Sequence, residues 1–196
     1  NAESTMLMHT SGILVMTPDS AMVLTGKQAI DYSGGVSAEN NLGIGGYARV
    51  MGPNGEAQYF APTLAAACEL LHDHYALTYK PPHQRWVPRV DTAYDLDRDV
   101  SDSPHRAEGS EFTTVGEIFS DSKNRDRKKP FAIRAVMHAV LDADQRFQER
   151  WAEMAEAEMA VVYDARLGGH AVSMIGIESR PVPRHGITPA DGPAQW

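Results

Sequence analysis

The sequence contains a single cysteine, and no group of cysteine and histidine residues accompanies it. Cys68 cannot form an intramolecular disulfide, so a disulfide framework and a structural zinc finger are excluded. We therefore expect a reducing, cytoplasmic compartment. Long apolar runs are also missing, because polar residues and a proline interrupt Met6 to Val23, whereas a membrane span needs about 18 apolar residues. No basic segment that would open a secretory signal is present.

Positive charge is scarce as well. The 18 Lys and Arg residues stand against 26 Asp and Glu residues, which gives a formal net charge of -8. This balance argues against a protein that binds nucleic acid by neutralising many phosphates. With 42% hydrophobic and 22% charged residues among 196, the chain has the composition of one globular domain or two small lobes. Because it starts at Asn1 and stops in a Pro/Gly-rich stretch, we expect it to be part of a longer polypeptide.

Several regular elements are predicted in the first 80 residues. The apolar run at 12–17 predicts a buried strand, closed by a turn at Pro18, and 21–24 predicts a second strand. A short helix is expected over 27–32, ending at the glycine pair 34–35. Glycine then recurs so often between 34 and 55 that this segment is predicted to be irregular. Pro62 opens a longer helix, whose predicted buried face consists of Leu64, Cys68, Leu71 and Tyr75.

The second part of the sequence alternates a polar stretch with apolar patterns. Residues 81–127 read as a connecting segment in which 112–119 docks as a short helix or strand. From residue 130 to Met154, apolar residues recur at helical spacing, and we expect two helices with a break near 141–143. The apolar runs 160–163 and 171–177 predict a hairpin that turns at Gly168 and Gly169.

The motifs that could carry chemistry are each incomplete. The GIGGYA stretch, 43–48, lacks the strand, helix and acidic residue of a dinucleotide loop, so its glycines are read as bringing backbone near a ligand or a neighbouring strand. Asp95, Asp97 and Asp99 resemble the opening of a calcium loop, but valine and arginine occupy its glycine and glutamate positions. An acidic, solvated connector is the favoured interpretation.

Metal and nucleophile signals are also weak. The 8 histidines show no metal-ligand spacing, and no serine stands in a GxSxG motif. Cys68 lies on the predicted apolar face of its helix, so it is not indicated as a nucleophile. The basic run 123–129 is interpreted as a solvated surface that could attract phosphates. Trp151 is interpreted as a core residue. From the residues alone, we predict a two-lobed α/β segment that lacks a complete set of catalytic residues.

Several stretches, taken in order, nevertheless resemble one known family. They are VLTGKQAIDYSGG (23–35), NLGIGGYARVMGPNGEAQYFAP (41–62), RKKPFAIRAVMHAVLD (127–142), FQERWAEMAEAEMAVVYDARLGGHAVSMIGIESR (147–180) and PADGP (189–193). Together they resemble the carboxyltransferase domain of biotin-dependent acyl-CoA carboxylases, of the acetyl-CoA carboxylase type that is fused into a multidomain chain. His170 departs mildly from the family pattern, which usually has isoleucine or a small apolar residue there.

This resemblance implies a crotonase-like (ClpP/crotonase) fold, in which each lobe is a β-β-α superhelix. By the resemblance, residues 1–80 are the C-terminal part of the N lobe, 81–129 the interlobe connector and 130–196 the start of the C lobe. Family members form homo-oligomers whose active sites lie between an N lobe and a C lobe of different subunits. This chain would then be an internal fragment of the domain.

The implied reaction moves a carboxyl group from carboxybiotin to acetyl-CoA or propionyl-CoA, giving malonyl-CoA or methylmalonyl-CoA for processes such as fatty acid biosynthesis. Biotin would be carried by a carrier domain outside this chain, and ATP and Mg²⁺ would bind only in the biotin carboxylase component. The oxyanion-hole segments of the family lie outside the chain, so its catalytic residues are unassigned and we expect the fragment alone to be inactive.

The resemblance implies one pair of site residues here, Gly45 and Gly46, which would line the acyl-CoA cleft. The competing interpretation is that these glycines only permit a tight turn. Two other functions stay open. One is a different crotonase-type CoA-thioester enzyme such as a decarboxylase, and the other is a non-catalytic scaffold or dimerisation module.

Overall fold

The computed structural model describes residues 12–92, 96–185 and 191–196. The elements, in chain order, are β1 (Val15–Met16), α1 (Lys27–Ser33), α2 (Leu42–Gly45), a π-helix (Tyr47–Met51), β2 (Tyr59–Phe60), α3 (Leu64–Thr78), α4 (Val115–Ile118), α5 (Ile133–Val140), β3 (Gln148–Arg150), β4 (Ala160–Leu167) and β5 (His170–Ile177). The chain is therefore mixed α/β, as predicted. No helix within the described ranges is long and apolar enough to cross a membrane.

The described residues form two compact units that interleave along the chain. The first unit contains 12–72, 150–158, 184–185 and 191–194, and the second contains 73–92, 96–149, 159–183 and 195–196. The lobe boundaries expected at residues 80 and 130, and the β-β-α superhelix, stay predictions.

The first unit is built around a short parallel pair of strands. β1 pairs with β2, so that Val15 faces Tyr59 and Met16 faces Phe60. Met16, Met51 and Ala57 form its buried cluster, which confirms the strand predicted at 12–17. The strand predicted at 21–24 is wrong, because this segment makes only an isolated bridge between Ala21 and Gly46.

The glycine-rich segment is more regular than predicted. α1 ends as expected, since Gly34 takes a left-handed conformation with a φ of 70°. The irregular loop predicted for 34–55 is wrong, because this segment contains α2 and the π-helix. Gly46 links these two helices and Gly52 ends the second one, so the glycines of this part stand largely at helix ends, where they cost less than inside a helix.

Helix α3 forms where it was predicted, but it buries a different face. Ala67, His74 and Leu77 are its buried residues. Leu64 and Tyr75 are 76% and 60% exposed, and Cys68 is exposed too. The predicted buried face is therefore wrong for Leu64, Cys68 and Tyr75, whereas Leu71 is part-buried.

The second unit contains a three-stranded sheet in the order β3, β4, β5. β4 and β5 pair antiparallel over their full length, from Ala160 opposite Ile177 to Leu167 opposite His170. Gly168 and Gly169 have φ angles of 58° and 79°, which fit a two-residue type I′ turn and confirm the predicted hairpin. Helix α5 packs on the sheet through the cluster of Met137, Leu141, Val161, Tyr163 and Ala165.

The segment after α5 was predicted correctly only in part. The expected break is confirmed, because α5 ends at Val140 and Leu141 is extended, but the second helix expected up to Met154 is wrong. Residues 148–150 form β3, and the chain then turns at Trp151, which has a φ of 56°. Trp151 is part-buried, and its backbone N–H donates to the Gln58 carbonyl at 2.9 Å, so a hydrogen bond distant in sequence holds it.

The connector is ordered by a small apolar anchor and by exposed ion pairs. Phe112, Val115 and Ile118 are buried, which confirms that 112–119 docks, and α4 covers four of these residues. The basic run 123–129 lies on the surface except for the buried Asn124. Three of its residues form ion pairs, which are Lys123 with Glu117, Arg127 with Asp121, and Lys129 with Glu111. Asp95 lies outside the described residues, while Asp97 and Asp99 are exposed.

Candidate functional site

Gly45 and Gly46 are buried at the junction of α2 and the π-helix. A Cβ atom on Gly45 would lie 2.2 Å from the carbonyl oxygen of Met22, and one on Gly46 would lie 2.6 Å from that of Leu42. Backbone oxygens cannot move aside as a flexible side chain can. Both positions therefore require glycine because the surrounding chain approaches closely, which is the geometry of a packed turn.

The backbone amides of this glycine pair are already bonded within the protein. Gly45 N–H donates to the Asn41 carbonyl at 3.0 Å, and Gly46 N–H donates to the Leu42 carbonyl at 2.9 Å. The Gly45 carbonyl accepts from Met22 N–H at 2.8 Å. In this arrangement the pair can shape a cleft wall, but its amides are not positioned as an oxyanion hole. Whether the pair lines an acyl-CoA cleft stays a prediction.

The π-helix that follows the glycines presents an aromatic pair in the first unit. The ring of Tyr47 stacks on that of Phe60, with centroids 4.7 Å apart and planes inclined by 30°. Burial, with a smaller effect of the Glu153 carboxylate, raises the pKa of Tyr47 to about 12. The phenol therefore stays protonated at physiological pH. π-Helical turns occur often at functional sites, which makes this pair a candidate site in the first unit.

A second cluster, in the other unit, joins three rings. Tyr163 of β4 lies 4.7 Å from Phe147 and 5.5 Å from His138, measured between ring centroids, and the His138 and Tyr163 planes are inclined by only 12°. His138 Nε2 lies 3.0 Å from the Tyr163 hydroxyl, within hydrogen-bonding distance. We call His138, Phe147 and Tyr163 the ring cluster.

An ion pair lies beside the ring cluster and affects its titration. Arg134, one turn before His138 on α5, donates to the Glu149 carboxylate of β3. Burial, and secondarily the Glu149 charge, raises the pKa of Tyr163 to about 12. Burial also lowers the pKa of His138. The Glu149 carboxylate raises this pKa and the Arg134 guanidinium lowers it, and both effects are smaller than that of burial. His138 is therefore predominantly neutral above pH 6.5.

A buried carboxylate holds the hairpin turn of the second unit. Asp142 accepts from Gly168 N–H and Gly169 N–H, both at 2.7 Å, and is only 4% exposed. Arg166, also buried, donates to the carbonyls of Ala76, Pro88 and Gly169. These contacts satisfy both buried charges and fix the turn, so their role is structural.

Sequence reasoning missed the ring cluster and the Asp142 contact. Arg134 and His138 are four residues apart on one helix, a spacing that places both on the same face and could have drawn attention to them. Their partners Glu149 and Tyr163 lie on strands, one of which was predicted as helix, so the sequence did not indicate the contact. Among the described residues, no group of three or more His, Cys, Asp or Glu side chains could hold a metal ion.

Comparison with known proteins gives one family. The family model described as the carboxyl transferase domain matches residues 7–192. A search of curated proteins finds no match to this chain.

Solved structures with a similar fold include carboxyltransferases. The transcarboxylase 12S core with hydrolysed methylmalonyl-coenzyme A bound is 18% identical, with a TM-score of 0.59, and the match covers 85% of this chain and 28% of that chain. The same core with methylmalonyl-coenzyme A and methylmalonic acid bound is also 18% identical, with a TM-score of 0.57 and the same coverage. A single-chain, multi-domain long-chain acyl-CoA carboxylase is 17% identical over 85% of this chain and 14% of its own, with a TM-score of 0.55. The chain thus spans less than a third of each of these proteins.

Proposed function

We propose a function from one premise, which is that the chain belongs to the carboxyl transferase domain family, whose model matches residues 7–192. Membership confirms the resemblance seen in the sequence motifs and goes with a crotonase-like fold. The proposed function is that of a carboxyltransferase part in a biotin-dependent acyl-CoA carboxylase. The observation that carries this proposal is the family match, which extends over nearly the whole chain.

The proposed substrates are acetyl-CoA or propionyl-CoA, which would become malonyl-CoA or methylmalonyl-CoA. In this reaction the bond between the carboxyl group and the ureido nitrogen of carboxybiotin breaks, and the α-carbon of the thioester gives up a proton and forms a carbon–carbon bond to the carboxyl carbon. The ureido nitrogen takes up a proton, so that biotin is released in its neutral form. A transcarboxylase core that binds methylmalonyl-coenzyme A and a long-chain acyl-CoA carboxylase both resemble this chain, so the experiment below compares short and long acyl chains.

We propose that Gly45 and Gly46 contribute the shape of one cleft wall rather than hydrogen-bond donors. Their internal hydrogen bonds and the missing space for a Cβ support this role. Charge stabilisation during transfer would come from backbone amides of oxyanion-hole segments outside residues 1–196, since an oxyanion hole needs donors aimed at the developing charge. The 196-residue chain alone is therefore proposed to be inactive.

The proposed partners follow from the reaction. A carrier domain would deliver carboxybiotin as a substrate, and a biotin carboxylase component would use ATP and Mg²⁺ to charge it. We further propose that residues 1–80 belong to an N lobe and 130–196 to a C lobe of a cytoplasmic homo-oligomer.

The assembled carboxylase, purified from its source, provides the test. It is incubated with ATP, Mg²⁺, labelled bicarbonate and separately with acetyl-CoA, propionyl-CoA or a long-chain acyl-CoA. We expect acid-stable label in malonyl-CoA formed from acetyl-CoA or in methylmalonyl-CoA formed from propionyl-CoA. Label only with the long-chain substrate would overturn the proposed substrates, and no label with any thioester would overturn the reaction.

The isolated chain is the second arm of this experiment. Residues 1–196, supplied with the same charged carrier, should transfer no label. Transfer at a rate comparable to the assembly would show that the catalytic donors lie within these residues.

A further inference from the structure

An Asn-Gly pair, Asn54 and Gly55, lies in a surface turn of the first unit. Pro53 and Gly55 occupy positions of the turn 52–55 where proline and glycine are preferred, and the Gly55 N–H donates to the Gly52 carbonyl at 3.0 Å. Asn54 is exposed, so water reaches its side-chain amide. The sequence and the fold thus agree on a tight, solvated turn in which asparagine directly precedes glycine.

The side chain of Asn54 is folded back along its own backbone. The N–H of Glu56 donates to Asn54 Oδ1 at 3.0 Å, so the side-chain carbonyl spans the intervening Gly55. The same hydrogen bond stabilises negative charge on Oδ1, which is the charge that develops when a nucleophile adds to Cγ. Gly55 has no side chain that would hinder the approach of its amide nitrogen to Cγ. These features favour attack of the Gly55 nitrogen on the Asn54 side chain.

One hydrogen bond restrains this attack. The Gly55 N–H has to leave the Gly52 carbonyl before its nitrogen can bond to carbon. This bond closes a turn whose Asn54 is exposed, and exposed backbone hydrogen bonds of surface loops open at a low cost in free energy. The fold therefore slows the attack relative to the unfolded chain without preventing it.

We propose that Asn54 is a site of spontaneous deamidation, which forms aspartate and isoaspartate at this turn. In the first step the Gly55 nitrogen gives its proton to hydroxide and bonds to Asn54 Cγ. The bond between Cγ and the side-chain nitrogen then breaks, and this nitrogen takes a proton from water and leaves as ammonia. The product of this step is a succinimide that includes the Gly55 nitrogen.

Water then opens the succinimide at either of its carbonyl carbons. When the bond between the Gly55 nitrogen and Cγ breaks, the original backbone is restored and residue 54 is aspartate. When the bond between that nitrogen and the main-chain carbonyl carbon breaks, residue 54 is isoaspartate, and the backbone runs through its side chain with an added methylene. In both products a neutral amide has become a carboxylate.

The isoaspartate product affects a contact within the first unit. The Gly55 carbonyl accepts from the Trp151 Nε1–H at 3.0 Å. The turn also packs closely, because a Cβ on Gly55 would lie 2.9 Å from the Sδ of Met154. The added methylene moves the Gly55 carbonyl relative to Trp151, so this hydrogen bond is lost. Aspartate keeps the original backbone length and therefore the contact.

The other asparagines of the described ranges serve as internal controls. Asn40, Asn41 and Asn124 precede asparagine, leucine and arginine, whose side chains hinder the amide nitrogen, and Asn124 is buried as well. The deamidation site does not include Gly45 or Gly46, and its chemistry needs no acyl-CoA. The inference therefore stands or falls independently of the proposed carboxyl transfer.

Peptide mapping of the full chain tests the site. The folded protein is incubated at mildly alkaline pH, and samples are digested and analysed by chromatography with mass spectrometry. We expect aspartate and isoaspartate at Asn54 before any conversion at Asn40, Asn41 or Asn124. Conversion that proceeds equally at these residues would overturn the proposal. So would an intact Asn54 in the folded chain over a period in which the same chain in urea converts.

Two variants of residue 54 complete the experiment. Asn54→Gln should give no product at this position, because its longer side chain has to close a larger ring. Asn54→Asp is the matched control for the added charge, since it introduces the carboxylate without lengthening the backbone. Product at the same rate in Asn54→Gln would refute attack by the Gly55 nitrogen on the Asn54 side chain.

The indole N–H of Trp151 reports the structural effect by NMR. The deamidated fraction should show a second Trp151 indole signal that is absent from freshly prepared Asn54→Asp. The hydrogen of this second signal should exchange with solvent about fivefold faster than that of the unconverted protein, as expected for one lost neutral hydrogen bond. A deamidated fraction with the same Trp151 signal and exchange rate as Asn54→Asp would contradict the proposed loss of this contact.

Discussion

Gly45 differs from most glycines of this chain because backbone atoms occupy the space of its missing side chain. The Gly45→Ala variant should lose about 2 kcal/mol of unfolding free energy, because its Cβ would meet the Met22 carbonyl oxygen at 2.2 Å. The measurement is urea unfolding followed by circular dichroism.

Gly35→Ala is the control for this variant, since the nearest atom to its Cβ would be 3.9 Å away. It should change the unfolding free energy by no more than about 0.5 kcal/mol. Equal stability of the two variants would contradict the close approach at Gly45.

Asp142 is the residue whose carboxylate closes the hairpin turn. An asparagine offers only one acceptor oxygen to the two amides of Gly168 and Gly169, so Asp142→Asn should cost about 1–3 kcal/mol. Asp144→Asn, two residues on and exposed, should be nearly neutral in the same urea titration. A neutral Asp142→Asn would show that the turn does not depend on this carboxylate.

His138 should make stability depend on pH. Because burial lowers its pKa in the folded state, the unfolded chain binds the proton more readily. The contribution is fully present above pH 6.5, the unfolded pKa, and is lost as the pH falls toward the folded pKa. The urea midpoint of the wild type should therefore drop between pH 7.5 and 5.5 more than that of His138→Gln. Parallel pH profiles would contradict this assignment.

At the residue scale, the sequence indicated that Gly45 and Gly46 permit a tight turn or a close backbone approach, but not which atoms approach them. The carbonyl oxygens that exclude a side chain come partly from Met22, more than 20 residues earlier, and sequence spacing does not reveal such contacts. The same reason explains why His138 and Asp142 were missed, since their partners Tyr163 and Gly169 lie more than 20 residues away.

The β4–β5 hairpin gives a prediction at the scale of elements. Asn-Gly is the preferred pair for a type I′ turn, so Gly168→Asn should be nearly neutral. Gly169→Ala should cost more than about 2 kcal/mol, because Gly169 has a φ of 79° and its Cβ would lie 2.1 Å from the Val90 carbonyl oxygen. Thermal unfolding of both variants measures which one is more stable. A lower melting temperature for Gly168→Asn than for Gly169→Ala would contradict this prediction.

Elements with a strong local signal were predicted, and those set by distant contacts were not. The hairpin, α1, α3 and the end of α5 follow from glycine turns, proline and apolar spacing. β3 was predicted as helix, because Phe147 and Trp151 on either side of it continue the helical spacing, whereas pairing with β4 decides its conformation. The buried face of α3 was predicted wrongly for the same reason, since tertiary contacts determine which side is covered.

At the scale of the molecule, the two units combine segments that are separated in the sequence. The first unit includes residues 150–158, which are far along the chain, and a division by sequence position could not show this. Order and spacing of many weak motifs identified the family, whereas no single motif did. Composition did not indicate the reaction, because the proposed hydrogen-bond donors are backbone amides and no particular side chain is required for them.

The most direct test of the proposed function uses the half-reaction of carboxyl transfer, which needs no ATP. The assembled protein, prepared with a carrier domain that lacks biotin, is incubated with malonyl-CoA or methylmalonyl-CoA, with and without biocytin as acceptor, and the decarboxylated thioester is measured by chromatography. We expect acetyl-CoA or propionyl-CoA to form only when biocytin is present. Equal product without biocytin would indicate a decarboxylase, and no product under either condition would indicate a non-catalytic module; either result would contradict the proposed carboxyltransferase.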